Sequence, residues 1–312
     1  MMIPDSCFSF RFEGLIMRLL LIASFVCVCL LPKFVAAQEK TPLPVTPPAK
    51  TMQEDKSPHK SDFVTVNGVK LHYLDWGGKG EALLFIHGDG GNAHTFDEMA
   101  PKFADRFRVL GLTRRGGGQS DKPETGYDTD TLVEDVRHFL DALKIKRVNF
   151  VGYSAGGNEL TRFAGLYPKR TLKLVYLDAA YDRRDVVAFE AQDPLASQST
   201  NKPTKIQAAI WKSQDEFSPD YKKIKAPALS FFAIFEKHWD IKPDTDEATR
   251  KKAQEFIENV VQPYQWKNIE RFRKEMVNGR VVVLRDTHHA FFRDPKLKDE
   301  VVREMRQFLL SN

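Results

Sequence analysis

A short strand, turn and helix around Ser154 constrains the fold more than any other feature of the chain. An apolar strand over residues 148–151 runs directly into Gly-Tyr-Ser-Ala-Gly, centred on Ser154, and an amphipathic helix follows. Such a tight turn strains the serine backbone, and the residues two before and two after it must be small. Both are glycine here. The turn places Ser154 at a helix N-terminus, so it is the candidate nucleophile, and the amide of Ala155 is a candidate donor to an oxyanion.

Strands and helices alternate along most of the chain. A hairpin opens the series at Asn67-Gly68, a dipeptide that accepts positive φ in a two-residue turn. Short apolar strands flanked by amphipathic helices indicate an α/β fold, with a mostly parallel sheet covered by helices on both faces. Strands are predicted at 63–66, 69–73, 82–86, 108–112, 148–151, 172–177, 228–232 and 281–284, and helices at 96–107, 129–143, 154–167 and 299–310.

The N-terminus has the pattern of an export signal. Arg18 precedes an apolar run that ends at Leu31, and the small residue Ala37 closes the segment. The run is shorter than the roughly twenty apolar residues that span a bilayer. Residues 1–37 are therefore predicted to be a signal peptide, with Met17 as an alternative start, and the mature protein is expected to be secreted or periplasmic without a stable membrane span.

The leader and the segment after it stand apart from the rest of the chain. Residues 38–61 are rich in proline and polar residues, with almost nothing apolar to bury, and are predicted to form a disordered linker. The folded domain is predicted over residues 62–312. All three cysteines, Cys7, Cys27 and Cys29, lie in the leader, so the mature protein would have no disulfide, cysteine nucleophile or thiolate metal site.

One segment, about 183–225, breaks the alternation of strands and helices. It is polar and irregular, with apolar residues spaced as in short helices, and is predicted to be a small helical lid; a surface insertion without a role in substrate selection is the alternative. The formal charge of +5 is scattered, and no basic run is interleaved with aromatic residues. The expected partner is therefore a small-molecule substrate and not a nucleic acid.

An apolar strand at 82–86 ends in His87-Gly88 and a flexible, glycine-rich loop. Such a loop can aim a second backbone amide at an oxyanion, and the amide of Asp89 is the predicted donor. His87 is expected to be structural, through hydrogen bonds to loop carbonyls.

Several motifs together resemble the α/β-hydrolase superfamily: His87-Gly88, the stretch Arg-Gly-Gly-Gly-Gln-Ser-Asp from Arg115, the Ser154 turn and a late histidine. The resemblance covers the whole folded domain and implies the α/β-hydrolase fold, with an eight-stranded, mostly parallel sheet. It also implies the chain order nucleophile, acid, histidine. Two histidines qualify, and His288 is favoured over His289 because its spacing to the following proline is like that of the family's catalytic histidine.

The acid has more than one candidate. In most of the superfamily it follows the strand after the lid, where this chain has Glu236, but the glycine that usually precedes it is missing. A second known location is the end of the preceding strand, which holds Asp178. Asp178 is the favoured acid, with Glu236, Asp182 and Asp240 as alternatives; its other interpretation is a strand-end cap without catalytic duty.

These residues predict a serine hydrolase that cleaves a small-molecule carboxylic ester through an acyl-enzyme, with His288 as base and Asp178 as acid. No cofactor or metal is expected, because the chain has neither a phosphate-binding glycine motif nor metal-ligand spacing. Amidase, peptidase and carbon-carbon hydrolase activities remain open, as does a non-catalytic binding role.

Overall fold

The computed structural model describes residues 57–185, 191–196 and 203–311. They belong to one compact unit, Met52–Asn312. The predicted signal peptide (1–37) and linker residues 38–56 lie outside the described residues, so export stays a prediction. None of the helices in the described part of the chain has the length and apolar character needed to cross a membrane.

Eight strands form one sheet, and strands β3 to β8 are parallel. The first two strands form the predicted hairpin, with positive φ at Asn67 and Gly68. The α/β class and the eight-stranded, mostly parallel sheet are thereby confirmed. The order across the sheet is β1-β2-β4-β3-β5-β6-β7-β8, with bounds β1 Lys60–Val66, β2 Val69–Gly77, β3 Ala82–Ile86, β4 Arg108–Leu112, β5 Val148–Tyr153, β6 Thr171–Leu177, β7 Ala228–Ile234 and β8 Gly279–Arg285.

Six α-helices connect or flank these strands in the described residues: α1 Thr129–Ala142, α2 Gly156–Leu166, α3 Lys205–Glu216, α4 Glu247–Phe256, α5 Gln262–Glu275 and α6 Lys298–Leu310. A π-helical turn, Ile257–Val261, joins α4 to α5. Helix α1 begins at a side-chain cap, since Asp128 accepts a hydrogen bond from the amide of Thr131 at 2.8 Å.

The structure contradicts the predicted helix over 96–107. Two short 3-10 turns, Ala93–Phe96 and Ala100–Phe103, occupy this region instead. Pro101 explains the difference, because proline has no N–H to donate and its ring clashes with the carbonyl four residues earlier in an α-helix.

Both faces of the sheet are buried, each in its own core. Along β3, Leu84 and Ile86 belong to one core, whereas Leu83 and Phe85 belong to the other, as the alternation of side chains along a strand requires. The first core includes Val133 of α1, Leu160 and Phe163 of α2 and Phe272 of α5; the second includes Phe96, Phe103, Phe291 and, from α6, Val301 and Met305.

The parallel strands bring distant parts of the chain to one edge. Because β3, β5, β6 and β8 run in the same direction, their carboxyl ends lie along the same side of the sheet. In open α/β sheets ligands bind at this side. The segments that follow these four strands carry Gly88, Ser154, Asp178 and His289.

Candidate active site

Ser154 directly follows β5 in a left-handed backbone conformation, with φ of +51°. Its amide donates to the carbonyl of Leu177 at the end of β6, at 3.2 Å. The neighbouring Gly156 has no room for a side chain, because a Cβ there would lie 2.5 Å from the carbonyl oxygen of Ile86. The turn therefore needs glycine where the sequence has it, and it projects the serine at the carboxyl edge of the sheet.

Asp178 and His289 contact each other at the same edge. His289 Nδ1 lies 2.6 Å from Asp178 Oδ2, and the carboxylate is almost fully buried. Oδ1 accepts from the hydroxyl of Tyr181 at 2.6 Å and from the amide of Ala233 at 3.0 Å. Because a carboxylate only accepts, Nδ1 of His289 carries the proton, and Nε2 of the neutral ring is left as a proton acceptor.

Tyr181 supports this contact as a permanent donor. Burial, followed by the charge of Asp178, raises the pKa of Tyr181 well above its usual value. The phenol stays protonated and donates to the carboxylate throughout the ordinary pH range.

The structure corrects the choice of His288 as the histidine that meets the acid. His288 is exposed, its Nδ1 accepts from the amide of Ala290 at 3.2 Å, and its Nε2 lies 3.9 Å from Asp294. It is His289 whose ring packs on Tyr153, next to the serine, with 4.8 Å between the ring centroids. Spacing to a proline locates the loop, but it does not say which of two adjacent side chains turns towards the sheet.

The alternative acids lie elsewhere. Asp182 is engaged by two arginines, Arg271 at 2.5 Å and Arg184 at 2.6 Å. Burial would raise the pKa of Asp182, but hydrogen bonds from these arginines and from backbone hold it below its usual value. Asp240 is exposed, and Glu236 makes no hydrogen bond or ion pair within the described ranges. Asp178 is thus the candidate acid that the fold brings to a histidine.

At the end of β7, where the superfamily more often has its acid, side chains of α5 donate hydrogen bonds to the strand's carbonyls. Gln262 Nε2 donates to the carbonyl of Phe235 at 2.9 Å, and Gln265 Nε2 donates to the carbonyl of Ala233 at 2.8 Å. These side-chain donors satisfy two backbone carbonyls at the end of the strand.

The loop after β3 touches the serine turn. A Cβ on Gly88 would lie 2.8 Å from Ser154 Cβ. The carbonyl of Gly88 accepts from Arg114 Nη2 at 2.8 Å and from His87 Nδ1 at 2.7 Å. Since no peptide bond in the described chain is cis and N–H and C=O point oppositely in a trans peptide, the amide of Asp89 faces away from Arg114 and His87.

Two buried groups hold this loop. Arg114 forms an ion pair with Glu159 of α2 at 3.0 Å, and both side chains are almost fully buried. The amide of Arg114 donates to His87 Nε2 at 3.1 Å. Burial, with a smaller effect of Arg114, lowers the pKa of His87 to about 3, so the ring is neutral and acts as a structural link.

The predicted lid contributes two side chains that sequence reasoning missed. Arg183 Nη2 lies 3.5 Å from Ser154 Oγ. Trp211 of α3 donates through Nε1 to Asp89 Oδ2 at 2.6 Å. A cavity of about 360 Å³ lies beside the same loop, with Arg114 and Ile210 in its lining. Nothing in the sequence pattern of 183–225 distinguishes these residues, because their importance comes from distant contacts.

Within residues 57–185, 191–196 and 203–311, no group of three or more histidine, cysteine or acidic side chains is arranged to hold a metal ion.

Comparison with known proteins agrees with the fold. The family model for the alpha/beta hydrolase fold matches residues 81–207. An uncharacterised protein of Mycobacterium tuberculosis is 35% identical over 147 residues, 46% of this chain and 43% of that protein. A non-heme chloroperoxidase of Streptomyces lividans is 36% identical over 118 residues, 37% of this chain and 43% of the enzyme. The chain thus matches less than half the length of these relatives.

Among solved structures, an esterase from Exiguobacterium antarcticum superposes with a TM-score of 0.61 and 18% identity, over 81% of this chain and 100% of the esterase. At this identity the likeness shows the fold alone. Together with the sheet order and the match over residues 81–207, it shows that the chain has the α/β-hydrolase fold.

Proposed function

We propose that the protein is a serine hydrolase that cleaves a small-molecule carboxylic ester through an acyl-enzyme. Ser154 is the nucleophile, His289 the general base and Asp178 the acid that orients it. The observation that carries the proposal is the 2.6 Å contact between His289 Nδ1 and the buried Asp178, at the sheet edge that also holds the strained Ser154.

The chemistry follows from the proton positions. As Ser154 Oγ attacks the ester carbonyl carbon, His289 Nε2 takes the hydroxyl proton, and Asp178 stabilises the imidazolium that forms. The carbon-oxygen bond to the leaving alcohol then breaks, and His289 gives its proton to that alcohol. Water attacks the acyl-enzyme with His289 as base, which releases the carboxylic acid and returns the proton to Ser154.

Two backbone amides are proposed to hold the negative oxygen of each tetrahedral intermediate. One belongs to Ala155 at the start of α2, and the other to Asp89, whose peptide plane is fixed by Arg114 and His87. A donor of this kind typically lowers the barrier by about 3 kcal/mol.

The test is steady-state hydrolysis of a p-nitrophenyl ester series by the mature protein and by Ser154→Ala, His289→Ala and Asp178→Asn. Each substitution is expected to lower kcat by about 1,000-fold or more, because the three residues act as a unit. His288→Ala is the matched control: it removes the adjacent, exposed histidine and should retain activity within about threefold.

A fluorophosphonate probe separates the competing interpretations. Labelling of the parent protein and not of Ser154→Ala is expected. Loss of activity in His288→Ala, with His289→Ala active, would assign the base to the other histidine. No hydrolysis of any ester or amide, together with no labelling, would favour a non-catalytic binding role. Turnover of amides in preference to esters would instead favour an amidase.

A further inference from the structure

Arg183 stands beside the proposed nucleophile, and among the described residues no acidic side chain lies within ion-pair distance of it. It begins the short 3-10 turn Arg183–Asp185, five residues after Asp178, and its side chain is half-buried. Nη2 lies 3.5 Å from Ser154 Oγ, a long contact for a hydrogen bond. Nε is buried and has no hydrogen-bond partner in the described residues.

The acidic side chains near the Arg183 guanidinium do not form an ion pair with it in the described residues. In the described part of the chain no carboxylate lies within 4.0 Å of Arg183. Asp178 already accepts from His289 and Tyr181. Burial raises the pKa of Asp215 of α3, and the charge of Arg183 opposes that shift from beyond ion-pair distance.

Two other arginines of this protein form bidentate ion pairs, in which Nε and Nη2 both bind one carboxylate. Arg184, the next residue, binds Asp182 through Nε and Nη2 at 2.9 and 2.6 Å. Arg115 binds Asp135 through the same two nitrogens at 2.6 and 2.7 Å. In the described part of the chain the same edge of Arg183 meets no carboxylate: Nε has no hydrogen-bond partner, and Nη2 has the long contact to Ser154 Oγ. A buried N–H without an acceptor costs free energy, and a planar carboxylate is the acceptor that fits this edge.

We propose that Arg183 binds a carboxylate of the substrate, so that the preferred esters carry a second, negatively charged carboxyl group on a short acyl chain. The scissile carbonyl carbon must come within about 3 Å of Ser154 Oγ, so a carboxylate a few bonds away reaches the Arg183 guanidinium. A hemiester of a short dicarboxylic acid has this form. The inference rests on the proposed ester hydrolysis, and it makes Arg183 the residue that selects anionic over neutral substrates.

The experiment compares monoethyl succinate with ethyl succinamate, its neutral analogue of nearly equal shape, by ethanol release. For the parent protein kcat/KM is expected to be higher for monoethyl succinate. In Arg183→Gln the ratio of the two kcat/KM values should fall by about 30-fold, chiefly through KM for the anion, because a charged hydrogen-bonded contact is lost. Arg183→Lys should restore part of the ratio, and the control Arg184→Gln should leave it unchanged.

A binding measurement tests Arg183 without catalysis. Succinate is titrated calorimetrically into Ser154→Ala and into the double variant with Arg183→Gln, with succinamide as the neutral control. Succinate is expected to bind the single variant and to lose at least about tenfold in affinity in the double variant. Equal binding to both, or an unchanged ratio of kcat/KM in Arg183→Gln, would overturn the inference.

Failure of the two proposals can be told apart. If Arg183→Gln lowers kcat equally for both esters, Arg183 acts on the serine itself and the carboxylate inference fails, while the hydrolase proposal stands. If neither ester is cleaved and the fluorophosphonate does not label Ser154, the hydrolase proposal fails, and the succinate titration still decides whether Arg183 binds a carboxylate.

Discussion

At the residue scale, the site is built on strained backbone at three strand ends. Ser154, Asp178 and Asp286 have φ of 51°, 47° and 47° and follow β5, β6 and β8. Non-glycine residues rarely adopt this conformation, and they cluster where a function requires an exact side-chain direction. Only the Ser154 turn could be predicted from sequence, because its flanking glycines signal it. The turns at Asp178 and Asp286 carry no such local signal, which is why the sequence favoured His288 whereas the structure places His289 against Asp178.

His87 should make the protein less stable in acid. Burial lowers its pKa to about 3 in the folded chain, against about 6.5 unfolded, so the unfolded state binds the extra proton between these values. The contribution of neutral His87 is complete above pH 6.5 and is lost progressively as the pH falls towards 3, at up to about 1.4 kcal/mol per pH unit.

Urea unfolding from pH 7 to pH 4 checks this expectation in the parent protein and His87→Gln. The glutamine does not titrate, so the stability difference between the two proteins should shrink as the pH falls. His288→Gln, which removes an exposed histidine, is the control. A difference that stays constant with pH would show that His87 is not the group responsible.

At the scale of elements, the strands and helices that could be predicted are those whose pattern lies within a single short stretch of sequence. Short apolar strands such as β3 and β4 match their predicted bounds, because a buried parallel strand is an uninterrupted apolar run. The helical segment from α4 through α5 was not predicted. Its π-helical turn, Ile257–Val261, inserts an extra residue into the helical repeat, so the buried residues on either side do not follow a single 3.6-residue period.

Two glycines of α2 should respond oppositely to alanine. A Cβ on Gly157 would lie 1.9 Å from the carbonyl oxygen of Ala179, a backbone atom that cannot turn aside. Gly157→Ala should therefore lower the free energy of unfolding by about 3 kcal/mol. At Gly165 the nearest atom would be 3.7 Å away, so Gly165→Ala should raise it by about 0.5–1 kcal/mol, since alanine favours a helix. Thermal unfolding of both variants is the measurement; equal shifts in Tm would contradict the close packing of α2 on the segment after β6.

Trp211 should hold α3 against the loop that follows β3. No residue of α3 is buried, so its hydrogen bond to Asp89 is a main link to the domain. Trp211→Phe removes the donor, and amide exchange in α3 should become about fivefold faster, corresponding to about 1 kcal/mol. Lys212→Gln, which removes an exposed ion pair with Glu216 of the same helix, should change exchange little. Equal acceleration in both variants would mean that the Trp211 hydrogen bond does not hold the helix.

At the scale of the whole molecule, the fold class could be predicted because it depends on the sum of many short patterns. The partners of individual side chains could not, because they are separated by long stretches of chain: Asp178 and His289 are 111 residues apart. The superfamily resemblance supplied the order of the residues but not the contacts. Ser154 was the residue predicted most directly, since its turn is defined within five positions of the sequence.

Asp135 joins parts of the domain that are distant in the sequence. It binds Arg115 of the loop that follows β4 at 2.6 and 2.7 Å, and its Oδ1 accepts from Asn67 of the hairpin at 2.8 Å. Asp135 lies on α1, so one carboxylate joins three separate parts of the chain, and the Arg115 and Asp135 side chains are almost fully buried.

Asp135→Asn should lower the free energy of unfolding in urea by about 3–5 kcal/mol, because it leaves the buried Arg115 charge without its partner. Asp130→Asn is the matched control on the same helix. It breaks the exposed ion pair with Arg162 and should cost less than about 1 kcal/mol. Similar losses in the two variants would show that burial does not set the strength of the Asp135 contact. A large loss confined to Asp135→Asn, with an unchanged m-value, would instead indicate that the hairpin, the loop after β4 and α1 unfold together as one cooperative unit.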